Sequence, residues 1–165
     1  MATIRLYRET TDASTVGRLI ADTFSRYNLA DLSPVDRDAR LGPFRHANSD
    51  DPAHREAIVD AIHSEVVLIA EEDEEVVGVL RGRTMRLASL FVRGDRHRQG
   101  IGRQLVMKYE RWAIAEGSRR IRVAASPFAV PFYLSLGYKR TTGLRRMTIF
   151  EGTGYVYQPM QKMVG

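Results

Sequence analysis

Residues 96–105 read RHRQGIGRQL, three arginines and a histidine around Gly100 and Gly102, where an apolar helical pattern starts. The first amides of a helix lack internal partners, and the aligned peptide dipoles make that end partly positive. Glycine there removes the Cβ that would hold a ligand away. With Arg96, Arg98 and Arg103 adding charge, the segment suits a phosphate or pyrophosphate. A G-x-G pair alone is a weak signal, because a tight turn with ordinary surface arginines has the same letters. Two familiar phosphate loops do not fit. Gly102 is followed by Arg103 and Gln104, not by the Lys-Ser/Thr of a P-loop, and Leu105 stands where a dinucleotide fingerprint needs a third small residue.

The elements around this segment must deliver it to a site. TIRLYRE alternates as a first strand, and Val16, Leu19, Ile20, Phe24 and Tyr27 share one face of a helix over residues 12–27, capped by Thr11 or Asp12. Residues 28–50 lose periodicity and read as an irregular connection with one helical turn. Asp51-Pro52 is a cap and a first-turn proline for a helix presenting Ile58, Ala61 and Ile62. EVVLIA is apolar throughout, as in a strand covered on both faces, and the acidic EEDEE after it reads as a solvated hairpin turn. VVGVLRGR and MRLASLFV are the next strands. Ile101, Leu105, Val106, Tyr109, Trp112 and Ala113 then share a helical face that Gly117 can terminate. RRIRVAA, a short helix in AVPFYLSL, a strand start in GYKRT and a closing strand in YVYQPMQKMV complete the chain. The pattern is α/β with a central mixed sheet, in one domain over residues 1–165.

SPFAVPFYLSLGYKR, residues 126–140, together with LASLFVRGDRHRQGIGRQLV, residues 87–106, closely resembles the GNAT superfamily of N-acetyltransferases. That family holds the pyrophosphate of acetyl-CoA on R/Q-x-x-G-x-G/A and carries a downstream A-x-x-F-Y…G-F/Y signature. The matching positions are His97 to Gly102, then Ala129, Phe132, Tyr133, Gly137 and Tyr138. His97 departs from the usual Arg or Gln, with Arg96 and Arg98 beside it to supply charge. The resemblance covers nearly the whole chain and implies a mixed, mostly antiparallel sheet flanked by helices. It assigns coenzyme contacts to Leu90, Phe91 and Val92 on the strand, to Arg98, Gln99, Gly100, Ile101, Gly102 and Arg103 in the loop, and to Ser126, Ala129 and Phe132. It makes Tyr133 the general acid. A phenol of pKa ~10 can protonate a departing thiolate whose thiol has pKa ~8.5, while a strand amide faces the developing oxyanion.

The implied reaction is direct attack of a primary amine on the acetyl thioester in a ternary complex. An alkyl amine with pKa ~10.4 is almost wholly protonated at neutral pH, a handicap of roughly 4 kcal/mol that a general base would relieve. MRLASLFV holds no carboxylate, Glu71 and Glu72 read first as hairpin residues, and Ser89 can orient a water, so no base is assigned. The family resemblance directs the acceptor to residues 28–50 together with the last two strands, and Asp31, Asp36 and Asp38 in that segment suggest a cationic amine.

Composition bounds the alternatives. The 165 residues include no cysteine, which excludes disulfides and a thiol nucleophile, and His46, His54, His63 and His97 lack ligand spacing, so no metal is expected. No signal core or membrane-length apolar run is present, and a cytoplasmic location is expected. Charge is segregated: residues 1–80 carry 8 basic and 16 acidic side chains, residues 81–122 carry 12 and 3, and the remainder 5 and 1. That asymmetry suits an anion near 81–122 or merely a set of solvated faces. A nucleic-acid surface there would need Tyr109 or Trp112 for stacking, yet both fall on the helix's core face, so no nucleic-acid partner is expected. An acyl-CoA-binding module without turnover stays open, as does a homodimer.

Overall fold

The computed structural model describes residues 1–165. Its strands are β1 (Thr3–Leu6), β2 (Val66–Glu72), β3 (Glu75–Arg83), β4 (Arg86–Val92), β5 (Arg120–Ala125), β6 (Lys139–Arg140), β7 (Arg145–Ile149) and β8 (Gly152–Met163). The helices are α1 (Glu9–Tyr27), α2 (Pro34–Leu41), α3 (Pro52–Ile62), α4 (Ile101–Ala115) and α5 (Val130–Ser135). The sheet runs β1-β2-β3-β4-β5-β8-β6, with β7 also paired to β8, and every pairing is antiparallel except β4 with β5. This is the mixed, mostly antiparallel sheet flanked by helices that the sequence implies.

Two apolar clusters form, one on each face. In β2 the alternation sends Val66, Leu68 and Ala70 toward α4, and Val67 and Ile69 toward α1 and α3, so a continuous apolar run is buried on both sides. Asp73 and Glu74 both take positive φ, the signature of the tight hairpin joining β2 to β3. The acidic run around them is not simply solvated. Glu71 pairs with Arg5, Glu72 with Arg96 and Glu75 with Arg93.

Three boundaries differ from the sequence reading. The first helix starts at Glu9 with Arg8 as an N-cap that makes no side-chain bond. Asp12 lies inside the first turn, where it accepts from the Arg8 amide at 2.7 Å and holds Arg5 through both oxygens at 2.8 and 3.0 Å. Arg5 keeps the Asp12 carboxyl below its ordinary range, against the opposing effect of burial. Residues 28–50 contain a full helix rather than one turn: Ser33 accepts from the Asp36 amide, Pro34 opens α2, and a 3₁₀ turn over Gly42–His46 follows. β7 lies where no strand was read. Asp51, as expected, caps α3 by accepting from the Ala53 amide.

Candidate active site

The site begins with an irregularity in β4. Ser89 pairs with Arg81 and Leu87 with Gly82, so Ala88 is an extra, bulged residue. One added residue resets the alternation: Leu87, Leu90 and Val92 all face α4, while Phe91 faces α1. Beyond the bulge β4 leaves its other neighbour. The parallel pairing with β5 is confined to Arg86 with Arg122 and Leu87 with Val123. The two strands then splay and open a wedge in the sheet.

The Arg93 amide donates to the Val77 carbonyl on the β3 side at 2.8 Å. By strand alternation the main-chain groups of Val92 and Leu90 point the other way, into the wedge. The Val92 carbonyl accepts from His97 Nε2 at 2.7 Å, consistent with that direction. The His97 ring lies 4.7 Å from that of Tyr27, which in turn stacks on Phe128 at 5.7 Å. His97 is therefore tied to β4 and α1 as well as to its loop.

At the top of the wedge α4 begins. Gly100 is its N-cap in the left-handed region, φ 81°, and no side chain caps the first turn. A Cβ on Gly100 would meet no heavy atom within 4 Å, whereas one on Gly102 would stand 3.2 Å from the Phe132 ring. Exposed Arg98 and Arg103 make no ion pair. Arg96 is not free in the same way: it pairs with Glu72 at 3.1 Å and Asp95 at 3.2 Å. The first turn of α4 thus presents bare amides, two unpaired guanidinium groups and room for a bulky anion.

α5 forms the facing wall. Gly137, at φ 92°, lets the chain turn so that the Tyr138 amide reaches the Tyr133 carbonyl at 3.0 Å. Tyr138 is then buried edge-on against Tyr133, ring centroids 5.5 Å apart, and its hydroxyl donates to Glu110, which also holds Lys162. Tyr133 is 4% exposed, its hydroxyl has no protein hydrogen-bond partner, and burial pushes its phenol above the ordinary value.

These walls enclose one cavity of about 850 Å³. Tyr133 and all the coenzyme contacts that the resemblance implies line it except Gln99, whose exposed amide donates to the Asp95 carbonyl at 3.3 Å. The cavity continues through the wedge to the α1 face, where Phe24, Phe44, Phe91, Met147, Ile149 and Tyr155 line it. Thr23 lines it too, its hydroxyl buried without a partner. Of the segments the resemblance directs to the acceptor, residues 28–50 and the closing strand contribute Asn28, Phe44 and Tyr155 to this end. β7 and the aromatic contribution of α1 are not legible in the sequence, because they meet only in the fold. No aspartate or glutamate lines the cavity. Asp31, Asp36 and Asp38 are all exposed and outside it, with Asp36 bonded to Ser33, so the expected acidic acceptor pocket is absent. Glu71 and Glu72 are likewise outside it, bound to arginines.

Residues 38–164 match the family model described as "Acetyltransferase (GNAT) domain". The fold resembles a GCN5-related N-acetyltransferase from Rhodopseudomonas palustris (TM-score 0.79, 21% identity, 99% of this chain and 96% of that one). It also resembles PaiA N-acetyltransferase from Thermoplasma acidophilum, solved with coenzyme A (0.72, 17%, 99% and 99%). A third likeness is to YjaB from Escherichia coli in its apo form (0.68, 16%, 100% and 99%). At these identities the likenesses establish the fold. No curated protein sequence matches the chain.

Proposed function

The chain belongs to the GNAT acetyltransferase family, and from that premise we propose that it moves the acetyl group of acetyl-CoA to a primary amine, with both substrates bound together. The observation that carries this reading is convergence on one cavity. An uncapped helix N-terminus with two unpaired arginines, the wedge-facing main chain of Leu90 and Val92, and the Tyr133 hydroxyl all meet there. Arg98, Arg103 and the amides of the Gly100–Gly102 turn would take the pyrophosphate, and the edge of β4 would pair with the extended pantetheine arm. A wedge-facing amide of β4 would donate to the acyl oxygen as negative charge develops on it. Tyr133, protonated across the neutral range as any phenol is, would give its proton to the departing sulfur. The coenzyme A bound by the Thermoplasma relative supports the choice of co-substrate. The acceptor would enter from the α1 side.

The carboxylate-free lining favours one other reading, an acyl-CoA-binding protein without turnover, since the lining's one histidine, His97, is tied through Nε2 to the Val92 carbonyl. Two measurements separate the readings. Calorimetric titration with acetyl-CoA should give saturable binding, and Gly100→Asp, which sets a negative charge against the phosphates, should weaken it at least tenfold. A thiol-release assay over a panel of amines should detect turnover. Unchanged affinity in Gly100→Asp would overturn the binding site; binding without thiol release on any amine would favour the non-catalytic reading.

A further inference from the structure

The α1 end of the cavity contains a cation with no counter-charge. Arg81 lies on β3 opposite Ser89, on the sheet face that packs against α1 and α3 rather than α4. Its Nε donates to the Ile62 carbonyl at 2.9 Å and its Nη2 to the His63 carbonyl at 3.4 Å, at the C-terminal end of α3. Its Nη1 donates to the Ser89 hydroxyl at 3.3 Å. All three partners are neutral, and a guanidinium has five N–H groups, so two are left without a protein partner. Burial lowers the Arg81 pKa from its ordinary value and Arg83 adds to the effect, yet arginine remains protonated in proteins.

The groups facing this charge from neighbouring elements do not neutralise it. Arg83 and Arg86, paired across β3 and β4 on the same face, are cationic, and Arg86 also lines the cavity. Glu65, the carboxylate just before β2, binds the amide and hydroxyl of Thr84 and makes no hydrogen bond or ion pair with Arg81. Arg98 and Arg103 sit at the far end, at the start of α4, where the coenzyme phosphates would lie. Arg81 and Arg86 are therefore the cations left for the acceptor. The α1 end that they share is otherwise lined by aromatic and aliphatic side chains, with Phe24 packed against both Phe91 and Tyr155.

We propose that the acceptor is an amino-carboxylate with an apolar body, its carboxylate bound by the Arg81 guanidinium beside Ser89 and drawn in by Arg86. This rests on the acetyl-transfer reading and reverses the sign of the acceptor expected from residues 28–50. A planar guanidinium fork with two free N–H groups matches a carboxylate, and a half-desolvated cation without a partner gains most from acquiring one. A decarboxylated analogue would leave that charge unpaired.

The test uses matched probes on the full chain. L-phenylalanine is compared with phenethylamine, L-leucine with isoamylamine, and 6-aminohexanoate with pentylamine, by thiol release at saturating acetyl-CoA. The carboxylated member of at least one pair should be favoured by roughly tenfold to hundredfold in kcat/KM. In Arg81→Gln that ratio should fall toward unity, and Arg81→Lys, which keeps charge without the fork, should retain part of it. Because Arg81 also binds the end of α3, circular dichroism accompanies each variant, and the wild-type ratios stand without any variant. A second arm reads binding alone: 3-phenylpropionate is titrated into the coenzyme A-loaded protein beside 3-phenylpropanol, expected to bind roughly tenfold more weakly. Amines acetylated with no carboxylate preference in any pair would overturn this proposal and leave the transfer reading standing. Tighter binding of 3-phenylpropionate without acetylation of any amine would support the carboxylate site and overturn transfer. Equal binding of the two phenyl probes would overturn the carboxylate site in either case.

Discussion

Tyr133 carries the chemistry of the α5 wall through what surrounds it. Phe132 and Tyr138 pack edge-on against its ring, and nothing in the protein bonds its hydroxyl. Tyr133→Phe therefore removes one oxygen from the cavity while leaving the packing intact. If the phenol protonates the departing thiolate, kcat should fall by about 10²- to 10⁴-fold, with acetyl-CoA affinity changing less than about twofold. Steady-state kinetics beside calorimetry checks both, and an unchanged kcat would remove Tyr133 as the acid. Gly102 offers a complementary change at the other wall. Its missing Cβ leaves room for the Phe132 ring, so Gly102→Val should push that ring into the cavity and weaken acetyl-CoA binding at least tenfold in the same calorimetric titration. Much of this was legible in the sequence, because two glycines and an F-Y pair at the right separation are local letters. The cation at the acceptor end was not. Arg81 reads as one more arginine in a basic stretch until the fold sets it against Ser89 and the end of α3, away from every carboxylate.

Elements turn those residues into a site, and β4 is the decisive one. The bulge at Ala88 lets Leu90 and Val92 face α4, and the loss of pairing with β5 after Leu87 opens the wedge. Alternation in MRLASLFV fits an ordinary strand, so neither the bulge nor the splay can be read from it; both depend on how two distant strands meet. The α2 helix is a different kind of omission. Its signal, Ser33-Pro34 with Asp36 behind it, is local, but only eight residues follow before Gly42, too short for periodicity to register. Packing of α4 on β3 supplies an element-scale prediction. Gly82 lies beneath the Tyr109 ring, which is fully buried and pinned by its hydroxyl to the Arg83 carbonyl at 2.6 Å. A Cβ there collides with a ring that cannot retreat, so Gly82→Ala should cost about 2–3 kcal/mol in urea unfolding. Gly143→Ala, where a Cβ meets nothing within 4 Å, should stay within about 0.5 kcal/mol and serves as the control. Equal effects at the two positions would mean that α4 does not press on β3 as the structure has it.

At the scale of the whole molecule, the segregated charge is joined in part: the acidic β2–β3 hairpin binds Arg93 and Arg96 from the basic middle of the chain, which leaves Arg81, Arg86, Arg98 and Arg103 to line the cavity without an ion pair. The core also contains a property set by no single element. Tyr109, Tyr133 and Tyr138 are 0%, 4% and 1% exposed, and burial raises the pKa of each. Unfolded tyrosine ionises near pH ~10. Because the folded values lie higher, the native state holds protons that the unfolded state has lost, and stability must fall as pH rises beyond that point. Below about pH 9 the three residues contribute no pH dependence. Above about pH 10 each can remove up to about 1.4 kcal/mol per pH unit, or about 4 kcal/mol per unit together. The total slope is shared among the three residues, so it does not by itself identify any one of them. Tyr133→Phe does, because its hydroxyl makes no protein hydrogen bond and the substitution deletes only the ionisable proton from a packed ring. Urea unfolding of the wild type and of Tyr133→Phe should therefore run parallel from pH 7 to 9 and converge or cross above pH 10, with the variant falling less steeply by about 1.4 kcal/mol per unit. Parallel curves throughout would mean that Tyr133 ionises as readily in the folded protein as in the unfolded chain, and that burial in the α5 wall does not disfavour its phenolate.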